Sequence, residues 1–202
     1  MAAKRKNEPR AWQRMLSGRR LDLLNPSPLD IEIEDIAHGL ARVARWNGQT
    51  TGAHAFSVAQ HCILVEGITA ALAPRIASEA RLMALLHDAP EYVIGDLISP
   101  FKAAVGIDYK DLELRLLSAI HLRFGLPAQP PLELVGLIKR ADRISAYWEA
   151  TQLAGFALAE ARRYFGAPPA GLRKPRIVPF PPNEVQMQFL RRFRLLSAQI
   201  TA

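Results

Sequence analysis

Four residues of this 202-residue chain carry cation-binding groups at positions whose spacing calls for apolar side chains. His61 lies three residues after Val58 and four before Val65, so on a helix it shares the face being buried. His87 follows Met83 by four and Ala80 by seven, and Asp88 is its neighbour at the end of an apolar run. Asp142 lies four after Ile138, three before Ser145 and six before Trp148. An ionised carboxylate in such surroundings costs several kcal/mol unless it is paired or bound to a cation. Taken singly, each has a plainer reading: a core histidine with satisfied hydrogen bonds, or Asp142 paired with Arg140 or Arg143. Taken together, two neutral imidazoles and two carboxylates form the donor set of one divalent cation, Mn²⁺, Co²⁺, Fe²⁺, Ni²⁺ or Zn²⁺, with positions left for water and substrate.

Positioning them requires helices, and one helix must break. Neighbouring helical residues diverge by about 100°, which suits a shared ligand poorly. Pro90 disfavours the helical region for Ala89, so a helix over roughly 75–88 is expected to end at His87-Asp88 and free both side chains. Apolar residues at threes and fours predict further helices: from a cap at Asp35 to about Arg45, from Phe56 to Leu72 carrying His61, and over "YKDLELRLLSAIHLRFG" until Gly125. The longest runs from about Leu132 to Ala159 and carries Asp142, and a last one is capped by Asn183 after a Pro-rich crossing. Alternation on both sides of "NPSP" predicts a small hairpin over about 19–34. The expectation is an all-α bundle with one N-terminal β-hairpin, a basic leader over 1–18 and a single domain over 19–202. Within it the metal-site core spans about 35–160, and the crossing and last helix span 166–202.

Composition narrows the classes. The one cysteine, Cys62, rules out an internal disulfide framework and points to a reducing, cytoplasmic setting. No apolar run approaches the roughly 20 residues of a membrane span. The net charge of +7 is concentrated at the start, where residues 1–20 hold seven basic side chains against Glu8. The remaining 19 basic and 18 acidic residues nearly balance, which argues against nucleic acid as the main partner.

The ordered set His61, His87-Asp88, Asp142 resembles the H…HD…D signature of the HD-domain metal-dependent phosphohydrolases. "LLHDAPEYVIGDLISPFK" is similar to the 5′-deoxynucleotidase branch in its H-D-x-x-E-x-x-x-G-D-x-x-x-P-x-K pattern; "FSVAQHCILV" and "IKRADRISAYWE" resemble the helices of the first histidine and the last aspartate. The resemblance implies an HD helical fold in which His61, His87, Asp88 and Asp142 hold the metal and Glu91 acts near the attacking water. It also implies that Asp96 helps hold substrate at the reaction centre, and that Arg45 and Trp46 bind phosphate and exclude a ribose 2′-hydroxyl. Lys102 falls in the same pattern and is a candidate phosphate contact. The activity implied is release of phosphate from deoxynucleoside 5′-monophosphates by a protein expected to form a homodimer. The "WNGQTTGAHAF" link and the hairpin depart from that branch, so triphosphate release from a deoxynucleoside triphosphate stays open. A reading of another class, a nucleic-acid-binding regulator with a structural metal, predicts salt-dependent binding and no hydrolysis.

Read from the residues alone, Glu91 stands three after Asp88, where it could orient water or carry a proton; the alternative is a solvated acid favoured by a helix N-terminus. Arg45 offers bidentate phosphate binding, with Trp46 as an apolar wall or a core residue. His38, His54 and His121 fall outside the ligand set.

Overall fold

The structure, a computed structural model, describes residues 11–96 and 110–200. Lys102 therefore lies outside the described residues, as do positions 1–10 of the basic leader.

Among the described residues, eight α-helices follow a two-stranded antiparallel hairpin. Strand β1 (Trp12–Arg14) pairs with β2 (Arg20–Asp22), with Trp12 opposite Asp22 and Arg14 opposite Arg20. Gly18, at φ +89, makes the tight turn that a residue with a Cβ adopts only under strain. The hairpin thus exists but is shifted: β2 falls within the span predicted for it, and its partner β1 lies upstream. Its first strand uses residues assigned to the leader, and the Trp12 ring lies under the guanidinium of Arg20 at 4.6 Å. The "NPSP" segment is no hairpin turn. Ser27 caps a 3₁₀ turn over Pro28–Asp30, its side chain accepting from the Leu29 N–H, and Ile33 already begins a helix.

Helix α1 (Ile33–Leu40) is followed by a 3₁₀ turn over Arg45–Gly48, then α2 (Val58–Leu72), capped by the Ser57 hydroxyl. Helices α3 (Ser78–Leu85) and α4 (Glu91–Ile94) flank the turn that carries His87 and Asp88. Then come α5 (Lys110–Arg123), α6 (Leu132–Gln152), α7 (Leu158–Phe165) and α8 (Pro182–Ile200). Several expected boundaries move, among them the end of α1, which stops at Leu40 and not near Arg45. Asp35 is no cap: it lies inside α1 and accepts from the Ser17 N–H and hydroxyl at 2.9 and 2.6 Å, tying the hairpin to the bundle. The stretch predicted as one helix to Ala159 ends at Gln152, and Gly155, at φ +77, turns the chain into α7. Asn183 likewise lies within α8, where its side chain accepts from Arg42.

Helix α2 is the centre of the bundle, packing on α3, α6 and α8. Val58, Ala59, Cys62 and Val65 are fully buried, as are Leu82, Leu85 and Leu86 at the end of α3. A second fixing point is ionic. The Glu66 carboxylate on α2 is 1% exposed and receives Arg81 from α3 at 2.7 Å and Arg192 from α8 at 2.7 and 2.9 Å. Three helices are thereby clamped at one buried acid. Among the described residues no helix is long and apolar enough to cross a membrane.

Candidate metal centre

The site is assembled where α2, the α3–α4 turn and α6 meet. His61, four residues into α2, is fully buried because its face of the helix packs toward α6. The break at the end of α3 occurs as the proline predicts, and earlier than it requires: α3 stops at Leu85, and the Ala89 N–H closes a turn on the Leu86 carbonyl at 2.9 Å. His87 and Asp88 thus come from a turn rather than a helix, which brings the His87 Nε2 within 3.3 Å of the Asp88 Oδ2. The other side of Asp88 meets His61, with Oδ2 3.4 Å from its Nε2. Asp142 reaches the same nitrogen from α6, at 3.3 Å. Its side chain is 41% exposed, so it stands at the mouth of the site and not on an inward-buried face as expected. Among the described residues it has no ion pair with Arg140 or Arg143.

Both imidazoles are held by their far nitrogens. His87 Nδ1 donates to the Ala84 carbonyl at 2.9 Å, and His61 Nδ1 donates to Glu149 Oε1 at 2.6 Å. A neutral ring that donates through Nδ1 keeps its lone pair on Nε2. The two Nε2 atoms are buried with no hydrogen-bond partner, and the 3.3–3.4 Å approaches of the carboxylates exceed the 2.7–2.9 Å of a charge-assisted bond. Buried imidazole nitrogens that face carboxylate oxygens without hydrogen-bonding to them are what a cation would satisfy. His61, His87 and Asp88 each offer one ligand atom, all within 4.8 Å of one another, and are able to coordinate a divalent metal.

Electrostatics point the same way. Burial opposes a charge on His61, as does Arg45, yet Glu149, Asp142 and Asp88 hold its imidazole well above the ordinary value. Burial likewise works against His87, but Asp88 and then Cys62 bring it up to about 10. The imidazoles in turn overcome the effect of burial on the acids: His87 and His61 hold Asp88, and His61 holds Asp142, below the usual carboxylate range. A cluster that retains protons so strongly has a standing demand for positive charge, which a divalent ion meets by displacing them.

Glu149 was not singled out from the sequence, and it organises the site from behind. It is fully buried and accepts from His61 Nδ1, the Ser145 hydroxyl at 2.6 Å and the Trp46 indole N–H at 2.9 Å, with Arg45 Nε at 3.4 Å. Burial favours its neutral form, but Arg45 and His61 outweigh that and keep it ionised, well below its ordinary value. The signal was available: Ser145 and Glu149 continue the face of Asp142 along α6 at spacings of three and four, among buried neighbours. A carboxylate behind a histidine fixes the ring's tautomer and direction.

Arg45 and Trp46 are brought to the site, but by contacts the sequence did not indicate. The Ala44–Ser57 bridge and the Arg45 N–H bond to the Phe56 carbonyl at 2.8 Å pin this segment to the start of α2. Trp46 and Asn47 take left-handed backbone angles, φ 56° and 50°, rare for residues with side chains. That conformation lets both Arg45 and Trp46 turn onto Glu149, while the Trp46 ring packs on Phe156 and Phe165 at 5.6 and 5.8 Å. Arg45 also reaches Asp96 at 3.7 Å, so Asp96, just after Gly95 at the end of α4, is joined to the same network. Glu91 opens α4, 4% exposed, with its Oε2 unpartnered; burial and the charges of Asp88 and Asp96 push its carboxyl up to about 9.

Residues 58–147 match the HD domain family, a span that begins with α2 and includes His61, His87, Asp88 and Asp142. The chain belongs to the HD-domain metal-dependent phosphohydrolase superfamily. It is 60% identical over 188 residues, 93% of this chain and 96% of the other, to an uncharacterized protein of Rhodobacter capsulatus. Glu149, Arg45 and Trp46 lie outside the matched span.

Proposed function

We propose that this protein hydrolyses phosphate esters of nucleotides with one divalent cation held by His61, His87, Asp88 and Asp142, and that deoxynucleoside 5′-monophosphates are its substrates. The observation that carries the reading is the pair of buried, unpartnered Nε2 atoms of His61 and His87 facing two carboxylates at a solvent-accessible mouth. A bound cation supplies an activated water and polarises the phosphoryl oxygen. The rest falls to the chain. Glu149 directs His61, and the Ala84 carbonyl directs His87, so that neither ring has to reorient.

Glu91, its carboxyl raised in the metal-free protein by burial and by the charges of Asp88 and Asp96, serves to orient the attacking water or to carry a proton. Asp96 approaches the Arg45 guanidinium at 3.7 Å, which keeps that cation beside the site to meet phosphate. Trp46, held by a tilted contact with Phe156 and an edge-on contact with Phe165, forms a rigid wall there suited to crowding the 2′ position of a sugar. Lys102 stays a proposed phosphate contact from the sequence pattern, and homodimerisation a proposal by analogy with the family.

The test is product analysis with dAMP and dATP under Mn²⁺ or Co²⁺, with metal content measured on the purified protein. Inorganic phosphate from dAMP, lost in Asp88→Ala, supports the reading, whereas triphosphate from dATP alone shifts it to triphosphohydrolysis. Absence of any nucleotide hydrolysis by a metal-loaded protein overturns it.

A further inference from the structure

The folded body is nearly neutral as a whole but not in its parts. Residues 21–131 hold 8 Lys and Arg against 13 Asp and Glu, whereas residues 132–200 hold 11 against 5. Part of the second excess collects in one groove of about 350 Å³, lined by Lys139, Arg140 and Arg143 of α6 together with Phe165, Ala167 and Pro169. All three basic residues are exposed, and among the described residues none has an acidic partner.

The groove adjoins the metal centre through two connections. Lys139 lies one helical turn before Asp142, on the side of α6 that Asp142 presents to the site, and Arg143 is the next residue after it. Phe165 packs edge-on against Trp46, whose indole is bound to Glu149. The Asp142 side chain, at 41% exposure, is also more open than that of Asp88 at 22%, so the ligand nearest the groove along α6 is the one that solvent reaches most. Unpaired cations beside a phosphate-ester site, with an aromatic edge at the floor, are suited to an anion that continues past the reacting phosphate.

We propose that this groove holds a second phosphate group of the substrate, beyond the one at the metal centre. The chemistry is common to the polyphosphate tail of a nucleoside triphosphate and to the next phosphodiester of a short 5′-phosphorylated oligonucleotide. The inference rests on the phosphohydrolase reading above and deepens it: besides monophosphates, the site takes substrates that carry a second phosphate, and the groove contributes to kcat/KM for those alone.

The experiment compares kcat/KM for dAMP, dATP and the 5′-phosphorylated dinucleotide pdApdA in the wild-type protein and in the triple variant Lys139→Ala/Arg140→Ala/Arg143→Ala. Because the three side chains are exposed, the variant is expected to fold. A loss of about tenfold or more on dATP or pdApdA, with dAMP changed by less than about twofold, is the expected result. Loss on dATP alone identifies the polyphosphate tail, loss on pdApdA alone the backbone. Equal losses on all three substrates, or none on any, overturn the proposal. Calorimetric titration of inorganic tripolyphosphate into the metal-free 202-residue chain separates this failure from that of the phosphohydrolase reading. Salt-sensitive binding that disappears in the triple variant supports the groove even if no nucleotide is hydrolysed, and binding that is absent or unchanged in the variant refutes it.

Discussion

Glu149 spends its two oxygens on four donors from three parts of the chain, and what it controls is the direction of one lone pair. Replacing it with glutamine removes the charge that holds His61 Nδ1–H and leaves Arg45 underpaired. Glu149→Gln is therefore expected to weaken metal affinity by about 10- to 100-fold, measured by competition with a chelating dye. The same residue sets a pH dependence. Its folded-state carboxyl lies below the ordinary value of 4.5, so the stability it contributes is complete above that value and is lost as pH falls below it. Melting temperatures of the metal-free protein should fall more steeply between about pH 5 and pH 3 in wild type than in Glu149→Gln.

Glu91 calls for the opposite experiment, since its role concerns protons rather than metal. Glu91→Gln keeps the shape and removes the titration, and is expected to lower kcat by about 10²- to 10⁴-fold while metal content stays at the wild-type level. A variant that loses metal and activity together would move Glu91 from proton transfer to site assembly.

Elements matter here chiefly through how closely they approach. Helix α1 meets α4 at Gly39, where an added Cβ would lie 2.8 Å from the Tyr92 Cβ and 2.9 Å from its carbonyl oxygen. Both are firmly placed atoms, so Gly39→Ala must push α4 away, at an expected cost of about 1–3 kcal/mol in a denaturant titration. Because α4 begins with Glu91, activity should fall with it. The Glu66 clamp is the second such point. Glu66→Ala leaves Arg81 and Arg192 facing a buried void, and is expected to cost about 3–5 kcal/mol without altering the metal site. These elements also show where local patterns mislead. The alternation of Leu29, Ile31 and Ile33 covers too few residues to distinguish a strand from an extended entry into a helix. Pro28, pre-set for the first position of a turn, decided the matter, with the Ser27 cap. The helix break at His87-Asp88 was legible because a proline acts through local sterics alone.

At the scale of the molecule, the bundle brings two imidazoles and two carboxylates from three segments to one point, so metal and folding should be linked. A divalent ion at 100 times its Kd is expected to add about 2.7 kcal/mol to stability, read as a concentration-dependent rise in melting temperature that His87→Ala abolishes. The distribution of charge belongs to this scale too. A sum over the sequence shows near balance beyond residue 20, and only the packing of α6 against α7 reveals three cations in one groove.

By itself the sequence determined the helical class, the ligand residues His61, His87, Asp88 and Asp142 as candidates, and the break that frees two of them. Each of these follows from periodicity or from the sterics of neighbouring residues, which act over a few positions. The tertiary structure alone decided that Glu149 stands behind His61 across 88 residues of chain, that Arg45 and Trp46 turn onto it through left-handed backbone, and that Asp142 opens to solvent. Those outcomes depend on which buried polar group finds which partner once helices have docked, and hydrogen-bond satisfaction between distant segments leaves no periodic trace in a single sequence.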